Sequence, residues 1–247
     1  MRIGRLSLNR ATACAPSTPH KHFTSTPGPS LIFQALVTAP KILRTTCASN
    51  SSSIVPQKPL PLIALLTDFQ RACAELNVGW YLFGAQAALL YGSPRLTADA
   101  DLTVQLGPVA TDTFARALEQ NGLELRVADP AFVRMTRVLP IVHRVTAFPA
   151  DVVLGGPGLE EAFLKRAKLR VLHGLPVPVA AVEDLIVMKV LAGRRKDEED
   201  VAAMLSAQGE KLDLAVIRET LRALSEALAQ DDLLPLFERL LAEATNG

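Results

Sequence analysis

The stretch from Trp80 to Asp101 constrains the fold of this chain more than any other. Trp80-Tyr81-Leu82-Phe83 is a short apolar run that ends at Gly84, and Ala85 to Leu90 has helical character. Tyr91-Gly92-Ser93-Pro94 then breaks the chain, and Asp99-Ala100-Asp101 opens an alternating segment, Ala100 to Leu106. The order is buried strand, glycine turn, short helix, breaker, second strand. Residues i and i+2 of a strand share a face, so Asp99 and Asp101 are expected to project together at the start of the second strand. Like charges at that spacing repel unless a cation or proton lies between them.

A hard dication such as Mg²⁺ or Mn²⁺ prefers carboxylate oxygens and leaves room for phosphates, so it would satisfy the pair. Gly84 lets backbone approach a phosphate, and the helix after it offers unpaired N–H groups. Either feature alone is common in turns and caps; their succession places the carboxylates beside the phosphate cradle. A third carboxylate is expected from a neighbouring strand. Asp151 is the candidate, because it stands in the apolar run Phe148-Pro149-Ala150-Asp151-Val152-Val153-Leu154, where an unpaired charge is costly. The alternatives for Asp151 are a cap on the turn at 155–158 or a pair with Arg144.

The rest of the chain reads as further α/β structure followed by helices. Leu62, Leu65, Leu66, Phe69, Cys73 and Leu76 recur at helical spacing, and Asn77-Val78-Gly79 stops that helix. A helix over 111–121 and a strand over 123–127 follow. Strands are expected at 134–138 and from 144 through 154, with Pro149 implying an edge position or a bulge. A helix over 159–167 precedes a hairpin of 170–172 and 177–179 around His173-Gly174-Leu175-Pro176. Helices are expected over 182–192, 197–206, 212–229 and 233–244, the last opened by Asp231-Asp232 with Pro235 in its first turn. The expected class is α/β (α+β): a mixed sheet with flanking helices and a helical C-terminal part. The division is an extension over 1–56, a core over 57–180 and a helical region over 181–247.

The extension is rich in Ser, Thr, Pro and Ala and has no acidic residue before Asp68. Its composition fits a targeting segment, or upstream DNA translated from a start codon set too early, the reading preferred here. Of 26 basic residues, seven lie before residue 60; the remaining 19 face 25 acidic ones, a net of −6. An RNA acceptor is therefore not indicated by charge. No apolar run is long enough for a membrane span. Cys14, Cys47 and Cys73 lack metal-ligand spacing, and a reduced cytoplasmic protein is expected. His143 and His173 have no partner at nucleophile or metal spacing.

Phe83-Gly84-Ala85 and Ala98-Asp99-Ala100-Asp101-Leu102 resemble, in order and spacing, the signature of the nucleotidyltransferase superfamily, which shares a fold with DNA polymerase beta. More narrowly, Gly84, Gln86, Ala87, Tyr91, Gly92, Arg95, Thr97, Asp99 and Asp101 resemble the bacterial AbiEii-type nucleotidyltransferases. The block from Val182 to Val201, with Lys189, Arg194 and Asp197, resembles their second signature. The resemblance spans about residues 62–207. It implies transfer of a nucleoside monophosphate from a nucleoside triphosphate, with Asp99, Asp101 and Asp151 as catalytic and metal-holding residues. Gly84, Ala85, Arg95, Thr97, Lys189, Arg194 and Asp197 are the implied nucleotide-binding set. In the family the acceptor is an RNA 3′ end, a protein hydroxyl or a small molecule such as an aminoglycoside, and a cognate toxin or antitoxin is an implied partner.

The resemblance leaves several positions open. Lys189 in an apolar helix can instead snorkel to water. Arg194 and Asp197 at a helix start can be solvated or capping, and Arg95 can simply neutralise the acidic cluster. Ala85 stands where the family has Gly or Ser, which removes a side-chain contact to phosphate. Ala181-Val182 stands where Ser-Pro commonly opens the next helix. A catalytically inactive, partner-binding module of antitoxin type is the rival reading, and a hydrolase using the same carboxylates is a second.

Overall fold

The computed structural model describes residues 60–127 and 129–246. The expected extension over 1–56, with Cys14 and Cys47, lies outside the described residues.

Helix α1 (Pro61–Glu75) starts with proline at its first position, where no N–H is needed, and buries Leu65, Leu66, Phe69, Ala72 and Cys73. Burial pushes the Cys73 thiol well up, so it is an inert part of the core. Next come β1 (Gly79–Phe83), α2 (Gly84–Leu89), β2 (Ala100–Gln105), α3 (Thr111–Gln120) and β3 (Leu123–Leu125). The chain continues through α4 (Pro130–Thr136), β4 (Val138–His143), β5 (Pro149–Leu154), α5 (Leu159–Arg166), β6 (Lys168–Leu172) and β7 (Leu175–Val179). The C-terminal helices are α6 (Val182–Ala192), α7 (Arg195–Gln208), α8 (Leu214–Leu228) and α9 (Leu233–Asn246).

The strands form one seven-stranded mixed sheet in the order β3-β4-β5-β2-β1-β7-β6. β2 and β5 run parallel, as do β1 and β7; the other neighbours are antiparallel. Phe69 of α1 meets Trp80 of β1 at 5.2 Å and Phe114 of α3 at 6.1 Å, both edge to face. These contacts fasten α1 and α3 to the sheet. α6 is buried nearly all round and packs against α2, α7, α8 and α9. The class expected from the sequence, a mixed α/β sheet with flanking helices and a helical C-terminal part, is the one observed.

The region 130–154 differs from expectation. Residues 134–136 are helix, and 144–146 are a turn. Asp129 caps α4 by accepting the N–H of Ala131, and Pro130 follows at the first helical position. Arg137, in the left-handed region at φ 55°, ends the helix. The alternation in Arg134-Met135-Thr136-Arg137-Val138 is overridden by these caps. Pro149 marks neither an edge nor a bulge. β5 is an inner strand, and Pro149 is its first residue, paired with Val142, where a missing N–H costs little. The β6–β7 loop has two residues rather than four: His173 (φ 47°) and Gly174 (φ 86°) both take positive φ, as a type I′ turn requires.

His143 does have partners, from an element far away in sequence. Its Nδ1 accepts the backbone N–H of Thr146 (3.2 Å), so Nε2 carries the proton and donates to Asp68 of α1 (3.0 Å). The imidazole thereby ties α1 to the β4–β5 turn.

Candidate functional site

Asp101 and Asp151 are direct register partners on the parallel strands β2 and β5. Paired residues of neighbouring strands project from the same face, with strands about 4.8 Å apart. The two carboxylates therefore stand side by side, as expected from the sequence, although Asp151 lies fifty residues further along the chain. The alternative pair of Asp151 with Arg144 is not formed: Arg144 pairs with Glu124 at 2.7 Å, and Arg126 instead approaches Asp151, at 4.0 Å. Arg126 follows β3 and donates its backbone N–H to Pro140, the register partner of Asp151 on β4. Sequence reasoning missed Arg126, because only the β3-β4-β5 order brings it to that face.

Gly84 follows β1 and opens α2, with φ +68°. Its neighbour Phe83 is the antiparallel partner of Asp101. A Cβ at Gly84 would collide with the Asp101 carboxylate, so only glycine lets that side chain lie against the β1–α2 bend. Ala85 is buried in the first turn of α2. Asp99 sits in the bend just before β2 and accepts a short hydrogen bond from the Thr97 hydroxyl. The Gln86 side chain donates to the Thr97 carbonyl (3.2 Å), holding this segment against α2.

The remaining expected residues meet in a second, adjoining cluster centred on Asp200, which is 2% exposed. Arg95 donates to it through Nε (3.1 Å to Oδ2) and Nη2 (2.7 Å), Lys189 through Nζ (2.5 Å) and Ser93 through Oγ (2.5 Å). Lys189 also reaches Asp197 at 3.4 Å, and Arg194 donates to Asp197 at 2.5 Å. Lys189 does not snorkel; it is buried and paired. Burial alone would raise the Asp200 carboxyl, but the hydrogen bonds from Arg95, Lys189 and Ser93 outweigh it and hold it at about 2. The Asp200 hydrogen bond in turn holds the Arg95 guanidinium above its ordinary value, with the charges of Asp197 and Asp101 adding to it. Arg95 thus lies within electrostatic reach of both clusters. Asp200 was the hub missed in the sequence; its only signal was the three-residue spacing from Asp197, which puts both on one face of α7.

Carboxylate oxygens from neighbouring strands suit a hard dication. Among the described residues no group of three or more His, Cys, Asp or Glu side chains is gathered closely enough to hold one. Two aspartates would then supply the protein ligands and substrate phosphates the rest, the usual manner for Mg²⁺.

No family model matches the chain, and no curated protein matches it. Among solved structures it is similar to the antibiotic-resistance factor ANT(2″)-Ia, with TM-score 0.46 and 16% identity over 68% of this chain and 95% of that one. It is also similar to an antigenic nucleotidyltransferase-like protein from Paracoccidioides brasiliensis, with TM-score 0.45 and 16% identity over 72% of this chain and 91% of that one. At these scores the neighbours establish no activity for this chain. Among the described residues no helix is long and apolar enough to cross a membrane.

Proposed function

We propose that this chain is a metal-dependent nucleotidyltransferase of AbiEii type, acting in the cytoplasm on a nucleoside triphosphate and a hydroxyl-bearing acceptor. The observation that carries the reading is the side-by-side register of Asp101 and Asp151 against a bend where only glycine fits. Asp99 and Asp101 would hold Mg²⁺ or Mn²⁺, which when bound neutralises phosphate charge and polarises the phosphoryl group. The backbone at Gly84 and Ala85 supports the phosphates, and Thr97 orients Asp99. Asp151 takes the proton of the acceptor hydroxyl, with Arg126 approaching it at 4.0 Å. The acceptor oxygen then attacks the α-phosphorus in line, and pyrophosphate leaves. Arg95 faces the developing negative charge, while Lys189, Arg194 and Asp197 fix α6 and α7 beside the nucleotide. By the resemblance, the physiological setting is a toxin–antitoxin pair.

One observation favours the rival, a catalytically inactive partner-binding module. Arg95, Lys189 and Arg194 are all engaged by Asp200 or Asp197, so phosphates would have to compete for them. Calorimetric titration with each nucleoside triphosphate and Mg²⁺ separates the readings. The transferase reading expects metal-dependent binding that Asp99→Ala plus Asp101→Ala abolishes. Equal behaviour of wild type and double variant supports the module.

A further inference from the structure

We propose that the open edge of β6 is a docking site for an extended polypeptide strand in which acidic and aliphatic residues alternate. β6 ends the sheet order, so one of its edges faces no other strand among the described residues. Leu169 is the register partner of Pro178, and Val171 of Pro176. Proline has no N–H, so neither pair can exchange both ladder hydrogen bonds. The two-residue turn makes Leu172 and Leu175 the closing bonded pair, which again assigns Leu169 and Val171 to non-bonded positions. Their backbone N–H and C=O groups therefore point away from β7, toward the open edge.

The side chains reinforce this. A half-buried antiparallel hairpin ordinarily turns its apolar face inward and its polar face to water. Here Val177 and Val179 fill the inner face, yet Leu169 and Val171 on the outer one are 72% and 76% exposed. Lys168 and Arg170 occupy the alternate positions. The Arg170 guanidinium lies over the Tyr91 ring at 5.4 Å. An apolar outer face with cations at the intervening positions is complementary to a strand of alternating acidic and aliphatic residues.

Other occupants fit less well. In a two-fold pairing of β6 with a second copy, registers centred on Leu169 or Arg170 bring Lys168 and Arg170 against like charges. A register centred on Val171 runs into the turn at His173. The chain's own first sixty residues carry seven basic side chains and no acidic one, the wrong sign. A nucleic acid would want aromatic platforms, and among the described residues the exposed large apolar ones are Leu, Met and Val.

The test uses fluorescence anisotropy of the full chain with two labelled synthetic peptides, one alternating Glu with Val and Leu, the other alternating Lys with Val and Leu. The proposal expects saturable binding of the acidic peptide, at least about tenfold tighter than the basic one. Val171→Pro removes an outward N–H that the hairpin does not use, so it should weaken acidic-peptide binding by about tenfold or more with an unchanged circular dichroism spectrum. Arg170→Glu should reverse the peptide preference, and it decides the matter if Val171→Pro fails to fold. Equal binding of both peptides overturns the proposal. So does binding insensitive to these substitutions, displacement of the peptide by single-stranded RNA, or a dimer that Val171→Pro dissociates.

Discussion

Gly84 shapes the β1–α2 bend through the side chain it lacks. Its positive φ and the adjacent Asp101 carboxylate leave no room for a side chain. Gly84→Ala is expected to lower stability by about 2 kcal/mol through backbone strain and displacement of Asp101. Chemical denaturation measures the loss, and nucleotide binding should fall with it. Asp200 makes a second residue-scale prediction. Asp200→Asn leaves Lys189 and Arg95 without their shared carboxylate, which should cost about 3 kcal/mol. The wild-type carboxyl titrates lower folded than unfolded, so its contribution is present above the unfolded pKa, about 3.9. It is lost as pH falls from there through about 2. The variant should therefore show a shallower loss of stability over that window in acid unfolding followed by circular dichroism.

At the scale of elements, local signals and long-range pairing divide what a sequence reader can see. α1, β1, α2 and β2 lie within a residue or so of their expected bounds, because apolar spacing and the breakers at Asn77 and Gly92 are local. The alternation of Arg134 to Val138 predicts a strand where α4 ends; the Asp129 cap and Pro130 outweigh those five residues. Asp129→Ala should weaken α4 by about 1 kcal/mol, with hydrogen exchange speeding up at Val133 and its neighbours rather than throughout the chain. The site divides the same way. Asp99 and Asp101 stand out in the sequence from spacing alone, although Asp99 lies in the bend before β2 rather than on the strand. Asp151 was legible as a misplaced charge in an apolar run, and the β2–β5 register puts it beside Asp101. Arg126, Asp68 beside His143, and Asp200 were not legible, since each reaches its partner only through the sheet order or helix packing.

In the whole molecule, the helical C-terminal part and the sheet meet at the Asp200 cluster, where α6 and α7 grip the segment leading into Asp99. Positive charges that could serve phosphates thereby also hold the two parts together. In the proposed reading, Asp101 and Asp151 form one catalytic pair. Pyrophosphate release from a nucleoside triphosphate, measured with Mg²⁺ for wild type, Asp101→Asn and Asp151→Asn, tests it most directly. Wild type should release pyrophosphate, using water where no acceptor is supplied, and release should fall at least about a hundredfold in each variant with the fold retained. Release that persists in both variants, or that falls in only one, would contradict it.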